Sequence, residues 1–278
     1  MVWGIALSGG GVPGVAAHLG FLSVLEEQNL LPPVLVGASA GGIAAGMLAA
    51  GVTAADAVKV WGDEARSWWR LIPQEAIHAA EFLRPKQEPG ILNLYQFVLR
   101  VGTAVDAVES VSRWKIGYGA VVSDLNAGKP LLVHAGTALD LSTEEVLAAT
   151  AALPPIFSGI RTEGGHLLCD GGLFDDSPVD AARALGAEKV VLVHIGGPVD
   201  VPDRLNVGEL TRLVLSRGLA WGDRGANPIP PDLRVDVPAV GGLLSFADWD
   251  RDMEAGRSCA TGALVEIRRL AGLSGGAA

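Results

Sequence analysis

The chain has little positive charge and little cysteine. Its 278 residues carry 21 Lys and Arg against 31 Asp and Glu, a formal net charge of −10. Basic clusters interleaved with aromatics are lacking, which argues against nucleic acid as a partner. The same deficit argues against strong attraction to an anionic membrane surface. The two cysteines, Cys169 and Cys259, suit a reducing compartment.

The first residues also lack the basic, apolar and cleavage sections of a secretion signal, since a strand-like run starts at Val2. We therefore expect a cytoplasmic protein, with at most transient contact with a membrane surface. Residues 30–55 carry no charge, but Pro32, Pro33 and several glycines interrupt them. These breaks favour a buried strand, a turn and a buried helix over a membrane span.

A glycine-rich loop follows the first strand-like run. It reads Ser-Gly-Gly-Gly-Val-Pro-Gly over residues 8–14 and precedes a helical pattern that ends near Asn29. Glycines let successive N–H groups point to one spot at the positive end of a helix, which makes an anion site from backbone. Pro13 suits the first helical turn but has no N–H, so the donors come from the three residues before it. The residues assigned to this site are Gly9, Gly10, Gly11, Val12 and Gly14.

The same loop also matches Gly-x-Gly-x-x-Gly, the fingerprint of dinucleotide-binding proteins. That fingerprint requires an acidic residue about 20 positions further on, at the end of the second strand. Here the second strand ends at residues 37–39, and the nearby acids, Glu26 and Glu27, fall within the first helix. We therefore favour an oxyanion hole, worth about 3 to 4 kcal/mol per donor. A nucleotide-binding α/β protein remains an alternative.

The second strand-like run ends in Gly-Ala-Ser-Ala-Gly, which predicts a nucleophilic serine. A serine on a sharp strand-to-helix turn projects its hydroxyl into open space, and small neighbours let a substrate carbonyl approach. The spacing alone is a weak signal in a chain with 37 glycines. With the upstream loop, Ser39 becomes the candidate nucleophile. The other residues of this nucleophile elbow are Gly37, Ala38, Ala40 and Gly41.

The candidate base is an aspartate rather than one of the five histidines. An α/β-hydrolase places its serine after several strands and its histidine late, whereas this serine follows the second strand. Asp170 ends a short strand-like run, and Gly171 and Gly172 keep the turn after it open. In isolation such an aspartate would be read as a turn former or helix cap. Together with the two glycine motifs, Asp170 is interpreted as the general base.

These three motifs, in this order, resemble those of the patatin-like phospholipase family. The resemblance covers roughly residues 4–197. It implies a Ser39–Asp170 catalytic dyad without histidine that cleaves lipid acyl esters through an acyl-enzyme, as a phospholipase, lysophospholipase or carboxylesterase, with no cofactor and no metal. Many members carry Arg or Lys where this chain has Pro13, so a fixed positive charge is missing here. A catalytically silent lipid-binding relative is a further alternative.

The hydrophobic pattern predicts an α/β fold with three layers, α/β/α, around a mostly parallel sheet, with the catalytic turns at the carboxyl ends of its strands. The predicted strands lie near 2–7, 34–37, 118–123, 131–134, 166–170, 189–195 and 233–237. The predicted helices lie near 14–29, 40–50, 53–66, 92–110, 142–152, 178–186, 206–221 and 247–271.

The domain prediction is a single unit over residues 1–271, followed by a flexible tail over 272–278. Residues 59–115 interrupt the alternation with a helical, aromatic-rich insertion that holds four of the seven tryptophans. This insertion is interpreted either as an acyl-chain pocket or interfacial lid, or as ordinary helix packing.

Overall fold

A mixed β-sheet lies between helices in the computed structural model. The structure describes residues 1–71, 116–135, 137, 139, 141–154, 156–196, 229–238 and 246–273, and of 64–71 it describes the helix but not the side chains. The strands are β1 Trp3–Leu7, β2 Val34–Ala38, β3 Gly117–Asp124, β4 Lys129–His134, β5 Ile160–Arg161, β6 Leu167–Asp170, β7 Lys189–Ile195 and β8 Leu233–Val237. The helices are α1 Gly11–Glu27, α2 Ala40–Ala49, α3 Ala54–Leu71, α4 Thr143–Thr150, α5 Val179–Ala184 and α6 Trp249–Leu270, with a short 3-10 helix over Gly171–Leu173.

The sheet is parallel at its centre and antiparallel at one side. Its strand order is β5-β6-β3-β2-β1-β7-β8, and β4 pairs with β3 outside this path. Neighbours from β3 through β2, β1 and β7 to β8 run parallel. The strands β4, β5 and β6 add antiparallel pairs. This arrangement confirms the predicted mostly parallel sheet.

Alternating side chains of the central strands divide the core between the two faces of the sheet. Ile5 and Leu7 of β1 belong to the larger apolar cluster, which includes α1, α2 and α6. Ala6 points the other way, into a smaller cluster with Val179 of α5. Because both faces are covered, the central strands are apolar throughout, as parallel strands usually are. The three-layer α/β/α prediction is therefore confirmed.

Most element boundaries move by one to three residues from the predictions. The first helix begins at Gly11 rather than near residue 14, because the glycine loop itself forms the first turn. The two-residue strand β5 and the 3-10 helix after β6 were not predicted. The predicted helices at 92–110 and 206–221 lie outside the described residues, as do most of the insertion and residues 274–278 of the tail. The single-domain assignment stays a prediction.

The apolar stretch of residues 30–55 forms β2, α2 and the start of α3. Among the helices that the structure describes, none is both long and apolar enough to cross a membrane. The strand, turn and helix predicted for this stretch are thus confirmed.

Candidate active site

Two strands meet end to end along one edge of β3. The last residue of β2, Ala38, pairs with Val121, and the last residue of β6, Asp170, pairs with the next residue, Val122. β4 pairs with β3 over the same stretch, so β2 and β6 share the opposite edge. Since β2 runs parallel and β6 antiparallel to β3, their carboxyl ends face each other. The topology thus delivers Ser39 and Asp170 to the same point.

The side chains of Ser39 and Asp170 are hydrogen-bonded directly. Ser39 Oγ donates to Asp170 Oδ2 at 2.7 Å, across 131 positions of sequence. Ser39 is 6% exposed and Asp170 1% exposed. The Gly-x-Ser-x-Gly pattern predicts a serine hydroxyl that projects into open space, but the neighbouring turns bury it against the carboxylate. No histidine takes part in this contact.

Burial changes the acidity of Asp170. Desolvation raises the pKa of its carboxyl group from 3.8 to about 7, while hydrogen bonds from Ser39 Oγ and the Gly172 N–H oppose the shift. The Gly172 N–H donates to Asp170 Oδ1 at 2.8 Å, so both oxygens of the carboxylate are held. An aspartate with an ordinary pKa is a poor base for an alcohol, and a pKa near neutrality brings it close to the working pH.

The nucleophile elbow shows why both glycines of Gly-x-Ser-x-Gly are required. A methyl group built on Gly37 would lie 2.2 Å from the backbone of Gly41, and one built on Gly41 would lie 2.3 Å from the Leu7 carbonyl oxygen. The strand and the helix therefore cross at a distance that only glycine permits. Ser39 has φ 53° and ψ −122°, a backbone conformation that is strained for a residue with a side chain. Ala38 ends β2, and Ala40 opens α2.

The glycine loop adjoins this elbow. A methyl group on Gly9 would lie 3.4 Å from Ser39 Cβ. The N–H of Gly9 donates to Asp176 Oδ1 at 3.1 Å, and the N–H of Gly14 donates to the Gly10 carbonyl at 3.1 Å. Both amides are engaged in these bonds.

The other amides of the loop form the first turn of α1. These N–H groups, of Gly10, Gly11 and Val12, have no partner in the described part of the chain. Gly11 has φ 62°, the left-handed region that favours glycine, and this conformation turns the loop into the helix. The positive end of α1 thus adjoins the elbow, because methyl groups built on Gly9 and Gly14 would lie 3.4 Å from Ser39 Cβ and 3.1 Å from Ala40 Cβ.

Two of the described histidines, His18 and His166, form hydrogen bonds with groups other than Ser39. His18 is fully buried and its Nε2 lies 2.7 Å from the carbonyl oxygen of Ser8, the first residue of the glycine-rich loop. Burial lowers the pKa of His18 to about 4, so the neutral imidazole donates this hydrogen bond. His166 Nδ1 contacts Asp124 Oδ2 at 2.8 Å. His78 lies outside the described residues.

Sequence reasoning missed two residues that hold the site together. Asp176 binds the Gly9 N–H, as described above. Thr150, the last residue of α4, accepts a hydrogen bond from the Ser39 N–H at 3.1 Å and donates one to the Val121 carbonyl at 2.6 Å. Both lie within stretches that carry the family resemblance, but their partners are more than 100 residues away along the chain, apart from Val121. Local sequence patterns carry no signal for such contacts.

Within the residues that the structure describes, no group of three or more His, Cys, Asp or Glu side chains is arranged to hold a metal ion. Cys169 is buried beside Asp170, and burial raises the pKa of its thiol to about 11. Cys169 is therefore a protonated, apolar packing residue of β6.

The amino-acid sequence is similar to those of known proteins. The chain is 27% identical over 267 residues to patatin-like phospholipase domain-containing protein 6 of Mus musculus, covering 91% of this chain and 18% of that protein. It is 23% identical over 255 residues to the neuropathy target esterase sws of Drosophila melanogaster, covering 90% of this chain and 16% of that protein. The chain thus spans less than a fifth of the length of these two relatives.

Among solved structures, the fold is similar to that of VipD from Legionella pneumophila. The TM-score is 0.58 at 14% sequence identity, over 96% of this chain and 67% of that chain. This likeness supports the fold. The family model described as patatin-like phospholipase matches residues 5–183, which include the glycine loop, the elbow and the aspartate turn. The chain belongs to the patatin-like phospholipase family.

Proposed function

We propose that this chain is a serine acyl hydrolase that cleaves lipid acyl esters, with Ser39 as nucleophile and Asp170 as general base. Family membership supports lipid acyl hydrolase activity at the level of the class. The observation that carries the assignment of residues is the 2.7 Å hydrogen bond between the two buried side chains. The fly relative is named an esterase, which agrees with ester chemistry.

The first half of the reaction follows from this contact. Ser39 Oγ attacks the ester carbonyl while its proton passes to Asp170 Oδ2, so no separate base is needed. The oxyanion that forms accepts hydrogen bonds from the amides of Gly10, Gly11 and Val12 in this proposal. Each such donor is worth about 3 to 4 kcal/mol in the transition state. The N-termini of α1 and α2 both favour this negative charge.

The second half uses the same groups in reverse. Protonated Asp170 returns its proton to the departing alcohol as the carbonyl re-forms, which leaves the acyl chain on Ser39. A water molecule then attacks the acyl-enzyme while Asp170 accepts its proton, and the acyl–Oγ bond breaks as Asp170 returns that proton to Ser39 Oγ and the free acid leaves. The carboxyl group alternates between charged and neutral forms, and a pKa near 7 makes both accessible.

The glycine loop also bears on the substrate. Pro13 stands in the first turn of α1, where a basic side chain would place a fixed positive charge. We propose that the enzyme acts on neutral esters or lysolipids at least as well as on anionic diacyl phospholipids. A cytoplasmic location with transient contact at a lipid surface belongs to the same proposal.

The experiment compares hydrolysis of p-nitrophenyl butyrate, lysophosphatidylcholine and phosphatidylglycerol vesicles by the purified wild type, Ser39→Ala and Asp170→Asn. The proposal predicts turnover by the wild type alone, with the first two substrates at least as fast as the third. Activity retained by Ser39→Ala would overturn the assignment of the nucleophile. A strong preference for phosphatidylglycerol would overturn the assignment of the substrate.

A further inference from the structure

Thr150 lies at the junction where β2 and β6 meet end to end. It is the last residue of α4 and is fully buried. Its hydroxyl contacts two backbone groups from different elements, the N–H of Ser39 and the carbonyl of Val121. A hydroxyl has one hydrogen to donate and lone pairs to accept with, so one side chain can serve both groups at once.

Both backbone groups need such a partner. The N–H of Ser39 follows the last residue of β2, so the strand pairing does not extend to it. Val121 lies between the two catalytic positions, because it pairs with Ala38 and precedes the residue that pairs with Asp170. A methyl group built on Gly171 would lie 2.2 Å from the Val121 carbonyl oxygen, so the base turn also packs on this point.

The Ser39 peptide is strained, and Thr150 holds it in place. With φ 53° and ψ −122°, Ser39 would relax if the preceding peptide plane were free to rotate. The 3.1 Å hydrogen bond from the Ser39 N–H to Thr150 Oγ1 opposes that rotation. A change of φ at Ser39 turns its side chain relative to β2 and would carry Oγ away from Asp170 Oδ2. The same bond removes the Ser39 N–H from the set of oxyanion donors.

The Thr150 methyl group fixes the first turn of α2 as well. A methyl group built on Gly42 would lie 2.6 Å from Thr150 Cγ2. Helix α2 therefore packs directly against Thr150 at Gly42, which lies three residues beyond the nucleophile. A single side chain contacts the nucleophile peptide, the strand that aligns both catalytic positions and the helix behind the elbow.

We propose that Thr150 is a positioning residue of the dyad: its hydroxyl sets the geometry of Ser39 relative to Asp170 without touching the reacting atoms. This role rests on the proposed function. Small misplacements of a catalytic group cost up to about 100-fold in rate. Removal of the hydroxyl also leaves a buried donor and a buried acceptor without partners.

The test measures how fast a fluorophosphonate probe labels the wild type, Thr150→Val and Thr150→Ser. The final extent of labelling counts intact sites, and the rate constant reports the reactivity of each. Thr150→Val removes the hydroxyl at nearly constant volume and is expected to slow labelling by roughly 10- to 100-fold. Thr150→Ser keeps the hydroxyl and is expected to stay near the wild-type rate.

The matched control is Thr261→Val on the exposed face of α6. Thr261 also donates a hydrogen bond from its hydroxyl to a backbone carbonyl, that of Arg257, at 2.9 Å. This variant makes the same chemical change away from the dyad, and its labelling rate is expected to match the wild type. If Thr150→Val does not fold, the labelling rates of Thr150→Ser and Thr150→Cys are compared instead. The cysteine variant is expected to be slower, since a thiol is only a weak hydrogen-bonding group.

The outcomes of this test separate the two proposals. A wild type that the probe does not label would overturn the proposed function and, with it, this role of Thr150. If the wild type is labelled and Thr150→Val has the same rate constant as the wild type, the role of the Thr150 hydroxyl is overturned and the proposed function stands. The same follows if Thr150→Ser and Thr150→Val lose the same factor in the rate constant. A lower extent of labelling at an unchanged rate constant would likewise show a structural role only.

Discussion

The carboxylate of Asp176 accepts a 3.1 Å hydrogen bond from the N–H of Gly9, 167 positions earlier in the chain. Both groups are buried, and a methyl group on Gly9 would lie 2.4 Å from Asp176 Oδ1. The glycine loop is therefore tied to the segment that follows the base turn. The parts proposed to bind the oxyanion and to accept the proton are held in one connected unit.

This tie predicts a difference between two substitutions at Asp176. Asp176→Asn keeps an oxygen that can accept from Gly9 and is expected to retain most of the activity. Asp176→Ala leaves the Gly9 N–H unpartnered and lets the loop shift, so kcat/KM on p-nitrophenyl butyrate is expected to fall about 10-fold or more. Asp56→Ala on α3 is the control, because its exposed carboxylate accepts a hydrogen bond from Thr53. Equal activities of the Asn and Ala variants would contradict the positioning role.

The raised pKa of Asp170 predicts the pH dependence of the rate. The base must be ionised to accept the Ser39 proton, and its pKa is raised to about 7 by burial. We expect kcat/KM on a neutral soluble ester to rise through pH 7 to a plateau, falling about tenfold per pH unit well below it. The profile is measured from pH 5 to 9. A flat profile over this range would show that no group with a pKa near 7 acts as the base, and would contradict the raised pKa of Asp170.

The same shift predicts a pH-dependent cost in stability. The folded-state pKa of Asp170 lies above the unfolded value. Its contribution to the free energy of unfolding is therefore fully present below about pH 4 and is lost as the pH rises through 7. Asp170→Asn does not ionise. Its free energy of unfolding relative to the wild type should therefore increase between pH 4 and 8, by on the order of 1 to 4 kcal/mol. Denaturant unfolding of both proteins at pH 4.5, 6 and 8 measures this, and a constant difference would contradict it.

The crossing of strand and helix at the elbow predicts opposite effects for two glycine substitutions. Gly41→Ala forces a methyl group to within 2.3 Å of the Leu7 carbonyl oxygen, so we expect loss of activity and destabilisation by about 2 kcal/mol or more. Gly262→Ala on α6 meets nothing within 4 Å and should stabilise the helix by about 0.5 to 1 kcal/mol. Thermal unfolding and ester hydrolysis of both variants provide the comparison. A stable, active Gly41→Ala protein would be evidence against this account of the elbow.

Much of the fold was predictable from the sequence because its signals are local. The strand β1, the glycine loop and the elbow are each contained within a short stretch of chain, and their glycines are required by close contacts between neighbouring elements. Hydrophobic alternation also located seven of the strands that the structure describes. Asp170 could be predicted as the base only because two other glycine motifs precede it, since an aspartate at a strand end before two glycines is by itself typical of a turn or a helix cap.

The relations between distant segments were not predictable in the same way. Nothing in the pattern of β6 shows that it continues along β3 beyond the end of β2, yet this end-to-end meeting brings the two side chains together. The same holds for Thr150, whose hydroxyl serves a peptide 111 positions away. Its sequence position indicates only the end of a helix.

The most direct test of the account is where a covalent adduct forms. The wild type is treated with a fluorophosphonate at pH 8, digested and analysed by peptide mass spectrometry. If Ser39 is the nucleophile and Asp170 its base, we expect one modified peptide with the adduct on Ser39, strongly reduced labelling in Asp170→Asn, and none at that peptide in Ser39→Ala. An adduct on another residue, or undiminished labelling of Asp170→Asn, would contradict it.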